Sequence, residues 1–233
     1  MKKLPILRFE NGKVHKVDDL VVEERILNVY ANNHFVQSIF YSNGNEFYLG
    51  IGVLFYNDVI SSKSEIINYS KKENDFSTNL YFEIDSKRKE TLNGSEYGKI
   101  SPVKGDVFFK LMKEMLTHSD TFQVTGGTHI VAVATVERLL TYFEDISRLS
   151  AVLKIVGFLV ENEIYKETIL FTSGRINYNI VQIASKVNSK IIVSQSAVSS
   201  LAIKSADSLG ITLVGFLRGN RFNIYTHPER ILQ

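Results

Sequence analysis

The turn Arg218-Gly-Asn-Arg221 holds the side chains of this sequence that are best suited to binding chemistry. Its two guanidinium groups, three residues apart, offer forked N–H donors that match the oxygens of a phosphate or a carboxylate. Gly219 between them has no Cβ, so the backbone amides beside it can approach a ligand closely. The turn is therefore predicted to bind an anion, with Arg218 and Arg221 on its oxygens.

Three further polar junctions flank apolar runs in the second half of the chain. They are Thr125-Gly-Gly-Thr-His129, Thr172-Ser-Gly-Arg175 and the hydroxyl-rich stretch from Ser194 to Ser200. In open α/β sheets, ligands bind at loops beyond the strand ends, where helix N-termini favour anions. We expect Gly126, Gly127, Ser173 and Arg175 to line the same pocket as the arginine turn. Turn glycines and capping serines explain each loop equally well when it is taken alone.

His129 has two interpretations that the sequence leaves open. Its place beside Gly126-Gly127 would suit a general acid or base, because an imidazole titrates near neutral pH. A histidine before an apolar strand is also a common structural residue. The adjacent carboxylates Glu144 and Asp145 face opposite sides of a strand, so they do not form an acid/base pair, and Asp145 is expected to cap a helix.

The composition of the 233 residues excludes several classes of chemistry. The chain has no cysteine, which rules out disulfides, thiolate metal ligands and a thiol nucleophile. A net charge of +2 argues against a general nucleic-acid surface. The sequence shows neither a membrane-spanning apolar stretch nor the apolar core of a signal peptide, so a cytoplasmic protein is expected. No metal site is predicted, and Walker, G-x-G-x-x-G and G-x-S-x-G motifs are absent.

The elements that would position these loops alternate between strand and helix in the second half. Predicted strands cover 130–135, 138–143, 168–172, 190–194, 212–216 and 222–226. Predicted helices cover 106–116, capped by Asp106, then 147–160, 177–186 and 199–209. This alternation indicates an α/β layered sheet.

The first hundred residues are predicted to be β-rich. Strands are expected at 20–24, 26–31, 34–40, 66–69 and 79–84, with one helix over 45–55 capped by Ser42 or Asn43. The polar, glycine-containing stretch 85–102 is predicted to be a loop and the domain junction. The chain would then divide into an N-terminal β-rich part, 1–100, and an α/β domain, 101–233.

Taken together, the polar junctions resemble the FdhD/NarQ family of formate dehydrogenase accessory proteins. The motifs that carry the resemblance occur in the family's order: Asp19 to Glu24, Thr125 to His129, Glu144-Asp145 with Arg148, Ser173-Gly-Arg175, Ser196 to Ala202, Leu213 to Arg218 and Tyr225 to Arg230. They span nearly the whole chain.

The resemblance implies a cytidine-deaminase-like, three-layer α/β/α fold and a homodimer. It implies a sulfurtransferase that receives sulfur from a cysteine desulfurase as a persulfide. The sulfur would pass to the molybdenum bis(molybdopterin guanine dinucleotide) cofactor of formate dehydrogenase. It further implies that Phe216, Leu217, Arg218, Gly219, Asn220 and Arg221 hold the guanine-nucleotide end of that cofactor.

The sequence departs from this family's pattern at the C-x-x-C loop. Gly94 and Tyr97 stand where the resemblance places the two cysteines, and Leu149 replaces a histidine. Only a thiolate can carry a persulfide, so this chain offers no catalytic residue for the relay. The sequence thus predicts an accessory protein that binds the cofactor or a guanine nucleotide without relaying sulfur. The alternatives are a cofactor-insertion chaperone acting through a formate dehydrogenase or another molybdoenzyme, or a different enzyme that uses His129.

Overall fold

The computed structural model describes residues 1–42, 44–85, 87, 102–164 and 167–232. Among these residues, six strands form the first part of the molecule. The strands are β1 (Lys2–Glu10), β2 (Lys13–Val21), β3 (Glu24–Ala31), β4 (His34–Ser42), β5 (Ile66–Glu73) and β6 (Ser77–Ile84). β1 and β2 form an antiparallel two-stranded sheet, and the other four form a sheet in the order β4-β3-β6-β5. The predicted hairpin over Asn32-Asn33 is confirmed, with φ angles of 47° and 65° at the two asparagines.

The sequence interpretation missed most of the first hairpin. It placed one strand over 20–24, whereas β2 ends at Val21 and β3 begins at Glu24. The overlooked signal is Asn11-Gly12, an Asn-Gly turn in which both residues have positive φ. The strands around it mix charged and apolar residues without a regular period, and most of their side chains are exposed, so no buried face marks them in the sequence.

Helix α1 (Glu46–Tyr56) is confirmed, but its predicted cap is wrong. Ser42 belongs to β4, Asn43 lies outside the described residues, and Asn45, with a left-handed φ of 61°, occupies the N-cap position. Seven of the helix's residues are buried. This helix lies in the molecule's interior, which explains why its apolar residues run around most of its circumference.

Among the described residues, the second part has eight further strands and five further α-helices. In chain order they are β7 (Val103–Lys104), α2 (Gly105–Thr117), α3 (Asp120–Thr125), β8 (His129–Ala134), β9 (Leu139–Asp145), α4 (Arg148–Glu161), β10 (Thr168–Thr172), α5 (Tyr178–Lys186), β11 (Ser189–Ser194), α6 (Ser200–Ser208), β12 (Thr212–Arg218), β13 (Arg221–Thr226) and β14 (Ile231–Leu232). Six of the strands form one sheet in the order β13-β12-β11-β10-β8-β9, and β14 pairs with β7. β10, β11 and β12 are parallel, whereas β8 runs antiparallel to β10.

Alternate residues of this sheet face two different apolar cores. Ile130 and Ala132 of β8 belong to the core under α2, whereas Val131 and Val133 belong to the core that includes α4 and α5. Helices therefore cover both faces, and the α/β fold with three layers is confirmed. The relation to cytidine deaminases stays a prediction. Helix α2 is capped at Lys104, so the predicted cap at Asp106 is two residues late, because Asp106 sits inside the first turn.

Helix α1 packs closely against α4, and the two helices share one core. An added Cβ at Gly157 would lie 1.8 Å from the carbonyl oxygen of Tyr48, so only glycine fits this crossing. The predicted domain boundary at 100/101 falls among residues 88–101, outside the described residues, as do Gly94 and Tyr97. Among the described residues, no helix is long and apolar enough to cross a membrane.

Candidate functional site

One edge of the six-stranded sheet collects the four polar junctions. His129 begins β8, Ser173 follows β10, Ser194 ends β11 and Arg218 ends β12. Because β8 runs opposite to β10, its first residue lies at the edge where the three parallel strands end. The N-termini of α5 and α6 lie at the same edge, since these helices follow β10 and β11. Helix α4 also begins there, because it follows β9, whose last residue Asp145 pairs with His129. The topology thus brings the predicted loops to one side of the molecule.

The arginine turn is the tip of the β12–β13 hairpin. Arg218 and Arg221 face each other in register across Gly219-Asn220, and Gly219 has the left-handed φ of 58° that favours glycine. The Nε of Arg218 donates a hydrogen bond of 2.9 Å to the carbonyl oxygen of Gln195. Within the described part of the chain, the Arg221 side chain makes no hydrogen bond or ion pair. One arginine is thus oriented by the protein, and the other is available to a ligand.

Phe216 gives this turn an aromatic face. Its φ of 54° marks an irregularity in β12, and its amide donates a 3.0 Å hydrogen bond to the carbonyl oxygen of Ser196. The Arg218 guanidinium carbon lies 5.8 Å from the centre of the phenyl ring, within cation–π range. An aromatic ring and two guanidinium groups therefore come from one short segment, from Phe216 to Arg221.

A cleft of about 470 Å³ opens beside the turn, between it and α2. Leu217, Arg218 and Gly219 form one wall. The residues opposite include Phe109, Met112, Lys113 and Leu116. This volume is in the range of small-molecule sites. The sequence interpretation missed the α2 wall, because the helical spacing of Met112 and Leu116 indicates only a core face.

Ser173 and the glycines at 126 and 127 have structural partners. The Oγ of Ser173 accepts a 3.1 Å hydrogen bond from the amide of Ile130, which ties the loop after β10 to the start of β8. Gly126 ends α3 with a φ of 66°, and an added Cβ at Gly127 would lie 2.7 Å from Val22. These residues shape the edge of the sheet.

Arg175 lies in a different group, with His129 and Arg148 around Gly174. The Nη1 of Arg148 donates a 3.1 Å hydrogen bond to the carbonyl oxygen of Arg175. A Cβ added at Gly174 would lie 2.5 Å from Cδ of Arg148 and 3.5 Å from Nδ1 of His129, so glycine lets these side chains close over the loop. We call His129, Arg148 and Arg175 the basic cluster.

The basic cluster and the arginine turn lie toward opposite faces of the sheet. His129 shares the alternation of Val131 and Val133, which face the core of α4. The cleft beside Arg218 is lined instead by α2, which covers the other face. Among the described residues, no hydrogen bond or ion pair joins the two groups, so the predicted single pocket consists of two places on one edge.

Burial lowers the pKa of His129 below its ordinary value of 6.5, and the charges of Arg148 and Arg175 lower it further. The pKa of the Arg148 guanidinium is lowered by burial and then by Arg175. The imidazole is consequently neutral at neutral pH. Within the described residues, His129 has no carboxylate partner to orient its ring, so an acid/base role has little structural support.

The two carboxylates at the end of β9 stabilise the fold. The side chain of Glu144 accepts hydrogen bonds from the amides of Thr121 and Phe122 at the start of α3. Asp145 accepts from the Ser147 amide, but Ser147 is the N-cap of α4, so the predicted capping role of Asp145 is only partly right. Its main partner is buried Lys154, at 2.7 Å. The sequence signal for that pair is a lone lysine inside the apolar run of α4.

Comparisons with known proteins identify the family of this chain. The FdhD/NarQ family model matches residues 88–232. The "Sulfur carrier protein FdhD" of Sulfolobus acidocaldarius is 34% identical, with 99% of this chain and 98% of that protein covered. The protein of the same name from Bacillus subtilis is 32% identical, over 97% and 95% of the two chains.

A solved structure shows the same fold. It is described as a formate dehydrogenase accessory protein from Desulfotalea psychrophila, and it superposes with a TM-score of 0.84 over 99% of both chains at 22% identity. With the family match covering more than half of the chain and the relatives covering nearly all of it, this chain belongs to the FdhD/NarQ family.

Proposed function

We propose that this protein is an accessory factor for formate dehydrogenase, or for another molybdoenzyme, that binds the guanine-nucleotide end of the molybdenum cofactor. Family membership and relatives named sulfur carrier proteins support the accessory role. The observation that carries the binding role is the arginine turn. Leu217, Arg218 and Gly219 line a cleft of nucleotide size, and the Arg221 side chain at the same turn has no partner among the described residues.

In this proposal the turn binds phosphate through charge and geometry. Arg218 is held by Gln195, so its Nη groups are pre-oriented, and Arg221 supplies a second guanidinium. Gly219 and Asn220 present backbone amides at the tip, where no Cβ at Gly219 blocks a phosphate. Phe216 offers a ring face on which a purine can stack. The cofactor would thus be bound at a nucleotide end, and Ser173, Gly126 and Gly127 would shape the neighbouring edge, whereas Arg175 lies with His129 and Arg148.

The protein holds the cofactor in this proposal and does not carry sulfur itself. None of the 233 residues is a cysteine, and a persulfide needs a thiol sulfur. A separate thiol, such as that of a cysteine desulfurase, would therefore deliver sulfur to the bound cofactor. A cytoplasmic location and a homodimer belong to the same proposal, the homodimer because the family resemblance implies it.

Calorimetric titration with GDP tests the binding role. Arg221→Ala should weaken GDP binding about tenfold to a hundredfold, because a hydrogen bond to a charged group is worth about 1.5–3 kcal/mol. Arg138→Ala is the matched control, since it removes an exposed guanidinium at the β8–β9 turn. No heat signal from the wild-type protein, or equal weakening in the two variants, would refute the role of the turn.

The alternative is a chaperone that inserts the cofactor mainly through protein contacts. The exposed hairpin β1–β2 favours it, because Leu7 and Phe9 are each 73% exposed. Co-purification with formate dehydrogenase should then be lost in a Leu7→Ser, Phe9→Ser variant whose GDP affinity is unchanged. If Arg221→Ala abolishes co-purification and the hairpin variant does not, cofactor binding governs the interaction.

A further inference from the structure

We infer that the basic cluster His129, Arg148 and Arg175 is a second anion site, built to take a tetrahedral oxyanion such as a phosphate group. It is separate from the arginine turn, which lies toward the other face of the sheet. The inference does not depend on guanine-nucleotide binding at that turn. It rests on the geometry around Gly174 and on an unbalanced set of charges.

The geometry is that of a preformed cradle. Gly174 is buried, and its carbonyl oxygen accepts a 2.7 Å hydrogen bond from Ser194 Oγ, while its amide donates to Thr172 Oγ1 at 3.1 Å. The Arg148 side chain passes directly over this glycine and ends on the Arg175 carbonyl. The loop and one guanidinium are therefore fixed without any ligand, which lowers the cost of binding one.

The charges around the cradle are unbalanced. Partial burial lowers the pKa of Arg148, and the positive charge of Arg175 lowers it further. In the described residues, no carboxylate forms an ion pair or hydrogen bond with any member of the cluster. The acidic residues of the adjacent strand are engaged elsewhere, Glu144 with the start of α3 and Asp145 with Lys154. A bound anion would offset the repulsion between these cations, because it supplies the negative charge that the protein does not provide.

The set of donors favours a dianionic tetrahedral group over a simple carboxylate. Two guanidinium groups can neutralise two negative charges, and each presents a planar fork of N–H groups. The neutral imidazole of His129 adds one more N–H donor and gains a proton readily once an anion lies beside it. Free inorganic phosphate and a phosphate of a larger cofactor share this chemistry.

The imidazole provides a direct probe of the site. In proton NMR, the ring resonances of His129 can be assigned by their loss in His129→Gln, since the chain has five histidines. Inorganic phosphate, added at constant ionic strength balanced with chloride, should shift the His129 resonances in a saturable way and raise the pKa of His129. Arg221→Ala should leave this response unchanged, which separates it from guanine-nucleotide binding.

Arg175→Gln is the variant of choice, because this side chain is exposed and makes no hydrogen bond or ion pair to the described residues. It should weaken phosphate binding about tenfold to a hundredfold, whereas Arg138→Gln, with the same change of charge, should have no effect. Titration of Arg221→Ala with GDP distinguishes the sources: a shift at His129 indicates a cofactor phosphate, and no shift indicates free phosphate. Unmoved His129 resonances in phosphate, or equal weakening in Arg175→Gln and Arg138→Gln, would overturn the site.

Discussion

Helix α4 carries two cations, and the protein treats them in opposite ways. Lys154 is 1% exposed, and its ammonium lies 2.7 Å from a carboxylate oxygen of Asp145, itself fully buried. Arg148, at the first turn of the same helix, lies beside Arg175 and has no carboxylate partner within the described residues. The buried charge of Lys154 is compensated by a carboxylate, whereas the half-buried charge of Arg148 lies beside a like charge.

The difference separates a charge that serves the fold from a charge kept for a ligand. Lys154 also lies within 3.3 Å of the carbonyl oxygen of Ser42, and Asp145 accepts the Ser42 amide, so this pair connects β4 to the second part of the molecule. Arg148 connects only neighbouring loops at the open edge. A fold under no other constraint gains nothing from two adjacent arginines, since their repulsion destabilises it.

The largest predicted effect concerns the stabilising pair Lys154 and Asp145. Lys154→Met should lower the free energy of unfolding by about 3–5 kcal/mol, because it leaves the buried Asp145 carboxylate without its cation. Urea denaturation followed by circular dichroism measures this loss. Adding Asp145→Asn to Lys154→Met should recover part of the stability, because the remaining buried charge is removed as well.

Lys186→Met is the matched control for the same experiment. Its ammonium lies at the same 2.7 Å from Asp58, but the two side chains are 33% and 83% exposed. An exposed pair is worth less than about 1 kcal/mol, so this variant should remain close to wild type. A similar loss in Lys154→Met and Lys186→Met would show that burial does not distinguish the two pairs.

An intermediate effect on stability tests how tightly α4 packs against α1 at Gly157. Gly157→Ala should destabilise the protein by about 1–3 kcal/mol despite the better helix propensity of alanine, because the new methyl group would clash with the Tyr48 carbonyl oxygen of α1. Gly105→Ala is the control, since its Cβ would meet only the Phe222 ring at 3.2 Å. Thermal unfolding compares them, and equal midpoints would contradict a tight α1–α4 contact.

The sequence was sufficient to predict the alternating second half but not how its loops divide. The short apolar strand 168–172 and the helices predicted to start at Ser147 and Asn177 follow from local signals. The structure has a strand over Thr168–Thr172, and α4 and α5 begin directly after Ser147 and Asn177, which are their N-caps. The side of the sheet that a loop residue faces is not local. It depends on strand direction and on which helix follows. The sequence therefore predicts one pocket for Arg175 and Arg218, whereas Arg218 lines the cleft beside α2 and Arg175 lies by Arg148 of α4.

There is also a physical reason why some site residues could not be predicted from the sequence. Lys113 and Phe109 line the cleft only because α2 crosses beside the end of β12, a contact between distant parts of the chain. The exposed hairpin β1–β2 was largely missed because its apolar residues have no buried face to give a period. Asn11-Gly12 was the usable signal.

The smallest predicted effect lies on the ligand side and appears as a dependence on pH. Because the pKa of His129 is lower in the folded protein than in the unfolded chain, the unfolded chain takes up this proton first as the pH falls. His129 therefore contributes full stability above about pH 6.5, and that contribution decreases as the pH falls from there toward the folded-state pKa, with a slope of at most about 1.4 kcal/mol per pH unit. Urea denaturation across this range measures the slope. His129→Gln should abolish it.

Inorganic phosphate sharpens the same measurement. An anion bound between Arg148 and Arg175 would offset the charges that oppose His129 protonation, so the slope should shrink when phosphate replaces chloride at constant ionic strength. Arg175→Gln should also shrink the slope, but that variant should respond to phosphate only weakly. If neither phosphate nor Arg175→Gln changes the slope of unfolding free energy against pH, burial alone sets the pKa of His129. The two arginines would then be no better prepared for an anion than Lys154 is, and the contrast between the two cations of α4 would fail.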